Sequence, residues 1–73
     1  SMPAHEYRAE MVANVLTVMV AVGDQVTAGD TLVMLESMKM EIPVFADTDG
    51  TVTVVSVQPG DVVQEGDILV VVE

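Results

Sequence analysis

Residues Ala13–Glu36 and Gly50–Glu73 are two copies of one segment, ANVLTVMVAVGDQVTAGDTLVMLE and GTVTVVSVQPGDVVQEGDILVVVE, related by a shift of 37 positions. They align over 24 residues without a gap, and eleven positions are identical. Each copy carries Gly-Asp-x-Val-x-x-Gly-Asp between valine-rich runs. Two copies are too few for a solenoid, which needs at least about three stacked units. They fit a closed pair of sheets related by a pseudo-two-fold axis. Seventeen valines with one Tyr, one Phe and no Trp favour strands, because valine is stiff at χ1 and suits a pleated surface. The expected fold is therefore all-β: a flattened eight-stranded barrel or sandwich of two four-stranded antiparallel sheets, one per half with exchanged strands.

The Gly-Asp pairs, Gly23-Asp24, Gly29-Asp30, Gly60-Asp61 and Gly66-Asp67, read as turns. Glycine permits positive φ and Asp bonds nearby backbone. A calcium loop would need denser oxygen ligands at alternating positions. The expected strands are 6–12, 14–20, 25–27, 31–37, 40–46, 51–57, 62–64 and 68–73. Pro43 and Pro59 should fall at edges or bulges, since proline cannot donate to a ladder. Ser1-Met2 resembles a cleavage scar before a native start at Met2, which suits a free-standing protein. Residues 1–7 are then a lead-in and 8–73 the domain.

Between the copies the symmetry breaks, at Ser37–Asp49. A two-residue turn at Met38-Lys39 pairs Ser37 with Met40, Glu36 with Glu41, Leu35 with Ile42, Met34 with Pro43 and Val33 with Val44. Alternation then puts Val33, Leu35, Ile42 and Val44 on one face. A one-residue slip would set Glu36 against Ile42 and spoil that face. The register leaves Lys39, the only lysine in the chain, at the tip. Such turns prefer Asn, Asp or Gly because they need positive φ, so Met-Lys is a poor choice and implies strain. The residues alone leave two readings open: a solvated turn lysine, or a covalent attachment point. An amine is protonated at neutral pH, so a modifying enzyme would have to deprotonate it and present an activated carboxyl group.

Glu36-Ser37-Met38-Lys39-Met40-Glu41 resembles the (Ala/Ser)-Met-Lys-Met pattern of biotinyl domains, the biotin carboxyl carrier modules of biotin-dependent carboxylases. The Gly-Asp motif, Asp49-Gly50-Thr51-Val52 and the run Ile68–Val72 are similar to that family too, so the resemblance spans Arg8 to Glu73. It implies a flattened eight-stranded barrel with biotin in amide linkage on Lys39. Met38 and Met40 would be read by biotin protein ligase, with Glu36 and Glu41 framing the target. The domain would carry carboxybiotin from a biotin carboxylase to a carboxyltransferase, with no catalytic residue of its own. The family's Ala-Pro-Met-Pro-Gly is replaced by Ala9-Glu10-Met11-Val12-Ala13, which bears on the first bend. The gapless repeat leaves no room for an inserted thumb. Two rivals share the fold: a lipoyl carrier, which usually has Asp-Lys-Ala at the turn, and an unmodified structural or adaptor module.

Other chemistries find little support. Twelve acidic and two basic residues give a formal charge of −10, against nucleic acid or an anionic membrane surface. No apolar run approaches a span and no secretion signal is visible, which suggests the cytoplasm. Cysteine is absent. His5 has no neighbouring His or Cys for a metal site. Ser37 and Ser56 have no His/Asp partners for nucleophilic catalysis and read as strand residues. The domain alone is expected to be monomeric.

Overall fold

The computed structural model describes residues 3–73. The expected scar at Ser1-Met2 lies outside them. Eight strands follow in order: β1 His5–Arg8, β2 Ala13–Val18, β3 Gln25–Val26, β4 Thr31–Ser37, β5 Met40–Phe45, β6 Gly50–Val55, β7 Val62–Val63 and β8 Ile68–Val72. They form two four-stranded antiparallel sheets, ordered β1-β8-β6-β3 and β5-β4-β2-β7. No helix among the described residues is long and apolar enough to cross a membrane.

The halves exchange strands, as expected, and so extensively that neither sheet belongs to one half. Each sheet takes two strands from each half. The pseudo-two-fold axis exchanges β1 with β5, β2 with β6, β3 with β7 and β4 with β8, and so maps one sheet order onto the other. The halves are thereby interleaved, and neither sheet can form without both.

The turns explain the Gly-Asp motif. Gly23, Gly29, Gly60 and Gly66 all have φ between 91° and 97°. In each turn the following Asp closes the loop twice. Its backbone N–H donates to the carbonyl three residues back, and its carboxylate accepts the N–H of that same residue, as between Ala21 and Asp24 at 2.9–3.0 Å. The glycine N–H groups tie the turns to the opposite half: Gly23 donates to Val52 O and Gly60 to Val15 O, both at 2.8 Å. Pro43 lies on edge strand β5, as expected. Pro59 instead sits in the Gln58–Asp61 turn just ahead of Gly60, where its fixed φ suits the second turn position.

The core is built from Leu32, Leu69, Val15, Val33, Val52, Val70 and Val72, all nearly or fully inaccessible. Strict alternation would send Leu32 outward beside buried Val33. A bulge between Thr31 and Val33 turns both inward, and a symmetry-related bulge does the same for Leu69 and Val70. The first strand opens at His5, ahead of the expected domain start at residue 8. Buried Tyr7 is the reason: it pairs with Val70, and its hydroxyl accepts the Asp47 N–H at 2.8 Å. Strands β2 and β6 stop at Val18 and Val55, two residues early, leaving Ser56 just beyond its strand.

Gly50 is fixed by crowding. A Cβ there would lie 2.6 Å from Glu73 O and 2.7 Å from Val72 Cγ1. Gly50→Ala is expected to cost about 1–3 kcal/mol, since backbone must move to admit the methyl group. Urea denaturation of the two proteins would measure it.

Candidate functional site

The β4–β5 hairpin has the register expected from its apolar pattern. Its facing pairs are Ser37–Met40, Glu36–Glu41, Leu35–Ile42, Met34–Pro43 and Val33–Val44. Val33 and Leu35 are buried, and Ile42 and Val44 pack against them. The ribbon is thus clamped to the core on one face along most of its length. Its end projects beyond the last apolar pair.

Met38 and Lys39 close the turn with φ of 53° and 65°. Two consecutive left-handed residues are the signature of a type I′ turn, which matches the twist of the flanking strands. Neither is Gly, Asn or Asp, so each costs roughly 1–2 kcal/mol. Replacing Met38-Lys39 by Asn-Gly is therefore expected to raise stability by about 1–2 kcal/mol. A chemical denaturation midpoint would report the gain. A lower midpoint would show that the tip is not strained.

The tip is open to solvent. Met38 is 90% exposed and Met40 64% exposed, and Lys39 lies exposed between them. Glu36 is half-buried and Glu41 exposed, directly opposite each other one pair below the turn. Like charges so placed cost a little stability. Among the described residues Arg8 forms an ion pair with Glu6 at 2.8 Å and His5 Nε2 lies 3.5 Å from Asp47 Oδ2, and Lys39 joins neither contact. All five residues singled out from the sequence, Glu36, Met38, Lys39, Met40 and Glu41, therefore gather at one projecting end. Ser37 closes strand β4 beside them.

His5 is not idle. It stacks on Tyr7 with ring centroids 4.4 Å apart and faces Asp47. This contact fixes the molecule's polarity. Asp47 lies two residues past the far end of β5, and His5 pairs with Val72. The open ends of β1 and β8 are thus set back by the length of the hairpin, roughly 20 Å from its tip. Tyr7 and Asp47, which make this arrangement, carry no motif, and only the rarity of aromatics in the chain signals Tyr7. A groove of about 500 Å³ runs between β1 and β5, lined by Tyr7, Met11, Ile42, Val44 and Phe45 among others. No nucleophile–base pair is present in it.

A rigid sandwich presenting one lysine on a ribbon is the architecture of a carrier domain. Comparison with known proteins makes the assignment specific. The family model described as "Biotin-requiring enzyme", for biotin and lipoyl attachment, matches residues 2–72. The chain belongs to this biotin/lipoyl attachment family and is a biotin-attachment domain homologous to carboxylase carrier domains. It is 58% identical over 69 residues to a biotinylated protein TB7.3 homolog of Mycobacterium leprae, covering 94% of this chain and 97% of the relative. It is 48% identical over 60 residues to the biotin/lipoyl attachment protein of Bacillus subtilis, covering 82% of each. Among solved structures, the Kluyveromyces lactis urea carboxylase superposes over the whole chain with a TM-score of 0.90 and 33% identity, although this chain spans only 6% of that enzyme.

Proposed function

We propose that Lys39 is the biotin attachment site and that the domain carries an activated carboxyl group between a biotin carboxylase and a carboxyltransferase. One observation carries the reading: the sole lysine of a biotin-attachment domain stands exposed between Met38 and Met40 on a strained turn. A hairpin with no other role would gain stability from Asn-Gly. Bound biotin supplies a ring nitrogen on which a carboxyl group can be held.

The chain's own residues do the positioning. Packing of Val33, Leu35, Ile42 and Val44 keeps the ribbon from folding back, so Nζ stays accessible to a large enzyme. Biotin protein ligase would read the apolar side chains of Met38 and Met40 and the acidic pair Glu36 and Glu41. It would remove the proton from Nζ and supply a biotinyl carboxyl activated by ATP. The resulting amide takes the formal charge from −10 to −11. Tethering then raises the local concentration of the carried group at each partner's active site. The negative field favours partners with positive surfaces and speeds encounter.

Intact mass tests the reading directly. With biotin protein ligase, biotin and ATP the chain is expected to gain one biotinyl increment. With lipoyl ligase and lipoate it should gain none. A lipoyl increment alone would make it a lipoyl carrier, and no increment with either enzyme would make it an unmodified module.

A further inference from the structure

We propose that Met38 and Met40 are a reversible oxidation site whose sulfoxides switch off modification of Lys39. The oxidation itself depends only on their geometry, whereas the effect on modification rests on the function proposed above.

Methionine reactivity toward peroxides follows access to the sulfur. At 90% and 64%, Met38 and Met40 are more exposed than Met19 at 55% and Met11 at 42%, and Met34 is half-buried in β4. Met38 is also held out by its left-handed backbone, which keeps it off the ribbon's packed face. In the step, a sulfur lone pair attacks one peroxide oxygen. The O–O bond breaks, an S–O bond forms and water leaves. Sulfur loses two electrons and the peroxide gains them. The product is polar and chiral where the thioether was apolar and pliable. Two such changes flank the one amine that a modifying enzyme must grip. Neither side chain belongs to the core, so the fold survives oxidation. Enzymatic reduction of the sulfoxides restores the original surface.

The full-length chain is treated with a limiting amount of hydrogen peroxide and cleaved after glutamate, which releases residues 37–41 as one peptide. Oxygen is expected in this peptide before peptide 11–36, which holds Met11, Met19 and Met34 together. The oxidised protein should keep its melting temperature while its rate of biotinylation falls at least about tenfold. A pair of methionine sulfoxide reductases, one for each epimer, should return the rate to that of untreated protein. The loss should persist in a Met11→Leu/Met19→Leu variant, and a Met38→Gln/Met40→Gln variant should reproduce it without peroxide. Labelling of the oxidised protein at the untreated rate overturns the proposal, as does oxidation of Met11, Met19 or Met34 first. Untreated protein that accepts no biotin overturns the function proposed above and the switch with it, while the order of oxidation still reads independently.

Discussion

Lys39→Arg is expected to accept no biotin under conditions that label the parent chain fully, while melting at the same temperature. The substitution keeps the positive charge, the long aliphatic stem and the left-handed backbone cost, so the turn is physically almost unchanged. What it removes is a primary amine. A guanidinium stays protonated and delocalised, and cannot supply the free lone pair that amide formation needs. Lys39 is the only lysine, so the chain offers no second side-chain amine as a fallback. The exposed position means that no packing is lost. Intact mass and a thermal melt together check the claim. A full biotinyl increment on the arginine variant would move the site to the α-amine and sink the assignment of Lys39.

Leu32→Ala should be the most damaging single truncation in the core, at about 2–5 kcal/mol. Leu32 is fully inaccessible and sits on a bulge beside buried Val33, so two adjacent residues already point inward. Collapse around the deleted methyl groups is therefore restricted on both sides. A domain of this size has roughly 4–11 kcal/mol of total stability. Each lost kcal/mol lowers its melting temperature by about 4–8 °C. The variant is thus expected to melt at least about 8 °C lower. Leu69→Ala, at the symmetry-related bulge, should cost about the same to within roughly 1 kcal/mol. A large inequality between the two, measured by urea denaturation, would show that the interleaved halves are not energetically equivalent.

The hairpin was the most legible part of the sequence. Its apolar residues alternate cleanly on both strands, and a slip would bury Glu36, so a single register survives. The tip was legible for the opposite reason: Met38-Lys39 is wrong for the turn that the register demands, and the structure answers with two left-handed residues. The exchange of strands was expected, but its extent was not legible. Strands β2 and β6 carry nearly the same pattern, so the sequence cannot say which half each will pair with. Nor were the bulges. Leu32-Val33 and Leu69-Val70 are pairs of adjacent apolar residues, and alternation assigns one of each to solvent. Tyr7 lies outside the repeated segments, within the expected strand 6–12 but ahead of the expected domain start. Its burial comes from a contact with Asp47 forty residues away, which no local pattern announces.

The symmetry that relates β4 and β5 to β8 and β1 has one more outcome. Where one half has a closed loop bearing the lysine, the other has two strand ends side by side, His5 across from Val72. The first and last strands thus end at a single doorway, facing away from the lysine. A host protein could accept the whole unit spliced into one of its surface loops, like a pendant on a short chain, and neither the splice nor the host would shade the hook.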